Sequence, residues 1–253
     1  MRFAMLGSGS RGNGTVIQAG GTTVLMDCGF MLREAERRLE RLGLDPTALA
    51  GILVTHEHAD HIGGVARFAR KFQLPVWLTP GTYAGWKDPG ARRINNISPH
   101  QPFSIGELQV LPYPVPHDAR EPCHYVFSDG RFRVGTLSDA GSVTPHMREM
   151  LSGCDALMLE FNHDVRMLAE GPYPPVLQQR VGGPMGHLSN VQAAELLRSI
   201  DKSKLQHLVM THLSEKNNTP AHARSACVEA LGGEPAWLVA AHQEEGLSWR
   251  ELN

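Results

Sequence analysis

Short apolar or alternating runs, which are typical of strands, recur along the whole chain. Strands are predicted at 2–6, 15–19, 22–27, 52–55, 75–79, 108–115, 123–128, 131–137, 155–160, 206–211 and 236–240. Helices are predicted at 31–42, 61–72, 144–151, 190–200 and 220–231. Gly20-Gly21 indicates a hairpin between two early strands, whereas the later strands alternate with helices. This combination favours sheets that are covered by helices on their outer faces.

The composition is that of an ordinary globular protein, with 42% hydrophobic and 20% charged residues in a chain of 253. It excludes a disordered chain, a collagen-like repeat and a disulfide scaffold. Because the sequence contains no internal repeat or linker, a single domain is predicted over residues 1–253. The formal charge of −2 means that any contact with nucleic acid must come from a local basic patch. Arg37, Arg38 and Arg41 are expected on the solvated face of the first helix.

Nothing in the sequence predicts export or membrane insertion. The first residues lack a charged segment followed by an apolar run, and no apolar stretch approaches the roughly 18 residues that span a bilayer. The 4 cysteines form no C-x-x-C pair and are predicted to be buried thiols. We therefore predict a cytoplasmic protein with no membrane contact, and the sequence predicts no protein partner.

The glycine-rich segment after the first strand matches the spacing of a dinucleotide-binding fingerprint. Gly7, Gly9 and Gly12 fit G-x-G-x-x-G, and Asp27 lies 20 residues after Gly7. That fingerprint requires a helix that begins at the glycines, so that its N-terminal amides meet the pyrophosphate. The segment NGTVIQAGG follows instead, with glycines and β-branched residues. We interpret the glycines as a tight turn near a functional site.

The segment THEHADH at 55–61 is the strongest chemical signal in the chain, which holds 13 histidines. In extended backbone, residues i and i+2 point to the same side, so His56 and His58 can bind one ion. Asp60 and His61 follow where the chain turns into the predicted helix at 61–72, and a bend there directs both toward a second ion. Imidazole nitrogen and carboxylate oxygen are ligands that zinc prefers.

Three further polar residues each follow an apolar strand-like run. They are His117, Asp139 and His212. Because strand ends meet at one edge of a sheet, these side chains are expected to complete the metal sites.

With these residues in place, the sequence resembles the metallo-β-lactamase superfamily from the first strand to the THLS motif at 211–214. The resemblance implies an α+β fold, a four-layer αββα sandwich of two mixed sheets with a metal site at one edge. It implies two divalent ions, zinc or manganese. The ligands implied for the first ion are His56, His58 and His117; those for the second are Asp60, His61 and His212, and Asp139 bridges both. Asp27 matches an aspartate of the superfamily that orients the metal loop, which in this chain is the segment at 55–61.

Four segments resemble the bacterial YycJ/WalJ group, which is related to ribonuclease Z and is associated with DNA exonuclease activity. They are LGSGSRGNGT, LEFNHDVRMLAEGPYP, GHLSN and THLSEKNN. Ribonuclease Z has a strand glutamate and a histidine near its scissile phosphate, for which Glu160 and His187 are the counterparts. The segment GGPMGHLSN departs from the usual serine-aspartate that precedes this histidine. His163 is predicted to face the site and bind substrate.

The resemblance implies a metal-dependent phosphodiesterase or nuclease that uses a metal-bridging hydroxide. Asp60 and Asp139 would position this hydroxide, and His187, held by Glu160, would protonate the leaving oxygen or stabilise the phosphorane-like charge. The predicted substrate is nucleic acid, DNA in preference to RNA. Hydrolysis of a small ester, thioester, lactone or lactam and ribonuclease Z-like RNA processing remain the alternatives. Metal binding without catalysis is disfavoured because every expected ligand position is filled.

Overall fold

The computed structural model describes residues 1–88 and 90–253. The chain divides into two compact units. The first unit comprises Met1–Pro114, Ala119–Phe132 and His242–Asn253, and the second comprises Val115–Asp118 and Arg133–Ala241. The single domain over residues 1–253 stays a prediction.

The strands follow the predicted runs closely, with several short additions. They are β1 (Arg2–Gly7), β2 (Gly14–Ala19), β3 (Thr22–Met26), β4 (Gly51–Leu53), β5 (Val76–Leu78), β6 (Ile94–Asn96), β7 (Phe103–Ile105), β8 (Leu108–Pro114), β9 (Cys123–Ser128), β10 (Arg133–Leu137), β11 (Ala156–Glu160), β12 (His207–Thr211), β13 (Leu238–Ala240) and β14 (Leu247–Glu251). The α-helices are α1 (Leu32–Arg41), α2 (Ala59–Ile62), α3 (Val65–Phe72), α4 (Pro80–Gly85), α5 (Pro145–Leu151), α6 (Val165–Glu170), α7 (Pro175–Val181), α8 (Asn190–Ser199) and α9 (Pro220–Leu231), and a 3₁₀ turn spans Pro46–Ala48.

The first unit is built on a mixed sheet with the strand order β14-β1-β2-β3-β4-β5-β6. Strands β1 to β3 pair antiparallel, and β3 to β6 pair parallel. The predicted hairpin joins β2 and β3, with Gly20 at φ 52°. Helices α1 and α3 bury Leu39 and Phe68 in one core with Ile52 and Val76. The same unit contains the antiparallel run β7-β8-β9.

The predicted helix at 61–72 is two helices, α2 and α3. They are separated by Gly63-Gly64, where a Cβ on Gly64 would lie 1.9 Å from the carbonyl oxygen of Phe30. Gly64 also donates its N–H to the carbonyl of Cys28 at 2.8 Å. Close packing of two backbones therefore interrupts a segment whose side-chain pattern alone predicts one helix.

The second unit is built on four parallel strands, β10 to β13, in chain order. Each crossover carries helices, and side chains cap the starts of α5, α6, α8 and α9. Thr144 and Ser189 each form a capping box, at the starts of α5 and α8. Because the strands are parallel, their carboxyl ends lie at the same edge, and the polar residues that follow them are brought together.

Within the described part of the chain, no helix is long and apolar enough to cross a membrane.

Candidate metal centre

The first unit gathers the histidines of the segment at 55–61. The ring centroids of His56 and His58 are 4.6 Å apart, and those of His56 and His61 are 4.2 Å apart. His56 and His61 are each 1% exposed, and Asp60 lies at the start of α2 with an oxygen 3.5 Å from His61 Nε2. Three imidazoles and a carboxylate from one heptapeptide are thus packed together, as the spacing predicts.

Asp27 holds this metal loop through both carboxylate oxygens. Oδ1 accepts the backbone N–H of Thr55 at 2.9 Å, and Oδ2 accepts the Thr55 hydroxyl at 2.9 Å. The same Oδ2 lies 2.8 Å from His61 Nδ1. With Nδ1 bonded to a carboxylate, His61 directs Nε2 toward Asp60, which is the ring orientation that metal-binding histidines adopt.

The second unit gathers four ionisable side chains at the carboxyl ends of its parallel strands. Asp139 follows β10, Glu160 ends β11 and His212 follows β12. His187 joins these three residues, and the four side chains each offer one nitrogen or oxygen atom such that all four atoms lie within 4.8 Å of one another. Asp139 and His212 have positive φ values of 51° and 53°, so the chain turns sharply within two residues of the end of each strand. Parallel pairing, with Leu137 opposite Leu159 and Glu160 opposite Thr211, explains the convergence.

Glu160 and His187 form a closely spaced ionisable pair within this group. Glu160 is 0% exposed, and its Oε1 lies 2.8 Å from His187 Nδ1. Its Oε2 accepts the backbone N–H groups of Ala140 and Leu188, each at 3.1 Å. Burial raises the pKa of Glu160, but the charge of His187 and hydrogen bonds outweigh it and lower the pKa to about 2. Burial lowers the pKa of His187, but Glu160 outweighs that effect and raises this pKa above its ordinary value.

His117 and His163, the two other predicted site histidines of the second unit, are also buried. His117 is 1% exposed, and its Nδ1 lies 2.9 Å from the carbonyl oxygen of Gly186. Its ring centroid lies 5.4 Å from that of His187. His163 is 3% exposed and forms a β-bridge with Ser189, two residues beyond His187. Burial lowers the pKa of His163, which favours a neutral ring.

Two further residues contact the predicted ligands but were not among the residues predicted from the sequence. Asn162 donates from Nδ2 to the carbonyl of His212 at 3.0 Å. Asn13, in the glycine-rich segment, contacts Asp60 and His61 of the metal loop. Each asparagine contacts residues that are distant along the chain, which the sequence does not show. The one indication was the glycine-rich segment around Asn13.

The donor chemistry in each unit fits a divalent cation. The first unit offers imidazoles and the Asp60 carboxylate, and the second offers imidazoles and the Asp139 carboxylate. His61 and His117 have Nδ1 bonded to a carboxylate and a carbonyl, which leaves Nε2 as the ring atom suited to an ion. Nitrogen and oxygen donors of this kind suit zinc and manganese.

Comparisons with known proteins give the family. The family model described as "Beta-lactamase superfamily domain" matches residues 22–213. The chain is 32% identical over 239 residues to "Exodeoxyribonuclease YycJ" of Bacillus anthracis, covering 91% of this chain and 89% of that protein. It is 30% identical over 238 residues to "Exodeoxyribonuclease WalJ" of Streptococcus pneumoniae, covering 91% and 88%. The crystal structure of the metallo-β-lactamase fold protein YhfI from Bacillus subtilis matches with a TM-score of 0.77 at 17% identity, covering 99% of each chain.

These likenesses confirm the resemblance drawn from the sequence and the predicted fold class, two mixed sheets flanked by helices. The fold implies divalent metal ions, which the clustered histidine and aspartate side chains fit. The chain belongs to the metallo-β-lactamase superfamily.

Proposed function

We propose that this protein is a metal-dependent phosphodiesterase that acts on nucleic acid, with exonucleolytic cleavage of DNA as its reaction. The observation that carries the proposal is the pair of His187 and the buried Glu160 beside Asp139, since lactam hydrolysis does not require such a positioned proton donor. Relatives whose names describe exodeoxyribonucleases, each similar over 91% of this chain, support the same substrate class.

Seven side chains are proposed as ligands of two divalent cations, zinc or manganese. They are His56, His58, Asp60, His61, His117, Asp139 and His212. Bound cations of this kind supply Lewis acidity, which polarises a phosphoryl group and strengthens water as a nucleophile. Asp27 is proposed to hold the metal loop through its bonds to Thr55 and His61.

The remaining steps belong to side chains of the protein. His187 bonds through Nδ1 to Glu160, so its Nε2 is the atom that can hand a proton to the leaving oxygen. Its side chain is 21% exposed, so the ring is accessible from solvent while its partner is not. Asp60 and Asp139 are proposed to position the attacking water. His163, neutral at ordinary pH because burial lowers its pKa, is proposed to contact the substrate.

A substrate panel tests the proposal. Protein stripped of metal and then loaded with Zn²⁺ or Mn²⁺ would be given end-labelled duplex DNA, single-stranded DNA, RNA, bis-nitrophenyl phosphate, a thioester, a lactone and a chromogenic lactam. We expect metal-dependent release of mononucleotides from linear DNA, slower action on RNA and little on closed circular DNA. The Asp139→Ala variant, purified in parallel, controls for contaminating nucleases.

Three outcomes would contradict the proposal. Fast thioester, lactone or lactam turnover without cleavage of nucleic acid would assign the protein to small-molecule hydrolysis. A preference for RNA over DNA would indicate RNA processing of the ribonuclease Z kind. Cleavage that persists unchanged in Asp139→Ala would show that the activity is not this protein's.

A further inference from the structure

The glycine-rich segment between β1 and β2 forms a loop whose shape only glycine permits. Gly9 and Gly12 have φ values of 141° and 142°, a region that other residues rarely occupy. A Cβ on Gly12 would lie 2.7 Å from the Phe30 ring, and one on Gly9 would lie 2.6 Å from the side chain of Gln243. The loop is therefore tightly folded, and the next residue, Asn13, is 7% exposed.

Asn13 packs against the start of α2, where two of the proposed ligands lie. Its backbone N–H donates to the carbonyl of Asp60 at 2.7 Å, and its own carbonyl accepts the N–H of Gly29 at 3.0 Å. A Cβ on Gly29 would lie 1.8 Å from the Asp60 carbonyl oxygen, so these backbones are in direct contact. The main chain of the loop thus joins the main chain of the metal loop independently of any side chain.

The side-chain amide of Asn13 has a defined orientation. Its Oδ1 accepts the backbone N–H of Gly9 at 2.9 Å, which directs Nδ2 toward the metal loop. Nδ2 lies 3.3 Å from Asp60 Oδ2 and 3.0 Å from His61 Nε2. It also lies 3.1 Å from the carbonyl oxygen of Gly9 and 3.3 Å from that of Asp60.

The amide nitrogen carries two hydrogens and faces four acceptors. Two of these acceptors, Asp60 Oδ2 and His61 Nε2, are the atoms that a cation would take under the proposed function. His61 Nε2 is an acceptor because Nδ1 donates to Asp27. Two acceptors would then remain, the carbonyl oxygens of Gly9 and Asp60. Their number equals that of the amide hydrogens. Asn13 can therefore hold both ligand side chains before a cation arrives and keep two hydrogen bonds afterwards.

We propose that Asn13 is a positioning residue for the second cation, which it serves by holding Asp60 and His61 in place through its amide. This inference rests on the ligand roles given under the proposed function. It explains why a glycine-rich loop without a dinucleotide-binding helix lies next to the histidine-rich segment. It also predicts a selective effect, because the Asn13 side chain bonds to Gly9 and to Asp60 and His61, the two ligands of this segment that are proposed for the second cation.

Three variants test the role of the amide. Asn13→Ala removes it and keeps the backbone bonds to Asp60 and Gly29. Asn13→Asp keeps the oxygen that faces Gly9 but places a second carboxylate beside Asp60. Ser10→Ala, at an exposed position of the same loop, is the matched control.

Metal-free proteins would be titrated with Zn²⁺ alone and Mn²⁺ alone against a chromogenic chelator, and thermal unfolding would be followed with and without metal. Wild type and Ser10→Ala should bind two equivalents alike. Asn13→Ala should bind the first equivalent within about twofold of wild type and the second about 10- to 100-fold more weakly, the usual effect of losing a side chain that orients a ligand. Because a cation relieves the repulsion between carboxylates, metal should raise the unfolding temperature of Asn13→Asp more than that of Asn13→Ala.

The two proposals fail in distinguishable ways. If wild type binds two equivalents and Asn13→Ala keeps both affinities within twofold, the role of Asn13 is wrong and the ligand set stands. Equal weakening of both equivalents would also overturn it, because it would indicate a general loss of structure. If wild type binds fewer than two equivalents, the ligand assignment fails and the inference fails with it. Circular dichroism of each variant before titration shows whether it is folded.

Discussion

Replacing His187 with alanine separates proton transfer from metal binding. The imidazole lies outside the seven proposed ligands, on the segment that leads into α8, and bonds through Nδ1 to the buried Glu160. The ring of His187 stacks on that of His212, with centroids 5.3 Å apart. The substitution keeps all seven proposed ligand side chains but removes the proposed donor to the leaving oxygen.

The structure sets the expected magnitude. A proton donor held at hydrogen-bond distance by a charged, solvent-excluded partner contributes about 10²- to 10⁴-fold in rate, or roughly 2.7–5.5 kcal/mol of barrier. The charge of Glu160 raises the pKa of His187 against the effect of burial, so the protonated ring that donation requires is favoured. We expect His187→Ala to lose activity on DNA within that range. Glu160→Gln should lose less, since it keeps the His187 ring while removing the charge and one of the two accepting oxygens that hold it.

The assay compares poor and good leaving groups. Turnover of DNA and of a nitrophenyl phosphodiester would be measured for wild type, for His187→Ala and for His146→Ala, a histidine on α5 whose side chain is 45% exposed. Because nitrophenolate leaves without protonation, the loss in His187→Ala should be much smaller on that substrate. Metal content should match that of wild type. Equal losses on both substrates would refute proton donation, and loss of a cation would make His187 a ligand.

Three further perturbations have effects that follow from single contacts. Arg38→Ala should lower the free energy of unfolding by about 2–4 kcal/mol in urea titrations, because Arg38 is 3% exposed and its guanidinium donates to the backbone carbonyls of Leu6 and Gln243. Arg37→Ala, the control, should change the free energy of unfolding by less than about 0.5 kcal/mol. Asp27→Asn should weaken cation binding about 10- to 100-fold, measured by chelator competition. The amide NH2 would face either the backbone N–H of Thr55 or the Thr55 hydroxyl and His61 Nδ1, so that donor meets donor; unchanged affinity would contradict this. Burial raises the pKa of all four cysteine thiols to about 11 or 12; they are Cys28, Cys123, Cys154 and Cys227. A thiol reagent at pH 7.5 should therefore label the native protein slowly and label all four thiols in urea. Fast labelling of any thiol in the native protein would contradict this.

The sequence predicts those parts of the site that are local or that follow strands. The heptapeptide at 55–61 brings His56, His58 and His61 together through its own geometry, so spacing alone predicts the cluster. Asp139 and His212 could be predicted because parallel strands end at one edge, whatever lies between them in the chain. Strands β1 to β3 could be predicted because nearly every position in them is buried, which requires the short apolar runs that the sequence shows.

What the sequence does not predict depends on partners that are distant along the chain. Arg38 belongs to a charged helix face by its spacing, but it is 3% exposed and donates to the carbonyls of Leu6 and Gln243. The expectation of a solvated side chain is wrong at this position, because backbone carbonyls 32 and 205 residues away accept its hydrogen bonds. The break between α2 and α3 has the same origin, since it follows from contact between Gly64 and the backbone at Phe30. Strand β6 was missed because its three residues, INN, have no apolar alternation.

Backbone conformation links the fold to the proposed chemistry. In the described chain, the residues other than glycine with positive φ are Asp27, Gln73, Asp139 and His212. Gln73 ends α3 in the left-handed conformation that commonly closes a helix. The other three each follow a strand, and each costs about 1–2 kcal/mol relative to an ordinary backbone conformation. Glycine would remove much of that cost, so the carboxylates and the imidazole are retained at the expense of stability. A sharp turn just after a strand directs the side chain to the edge of its own sheet, which is where Asp27 holds the metal loop in the first unit and where Asp139 and His212 lie in the second.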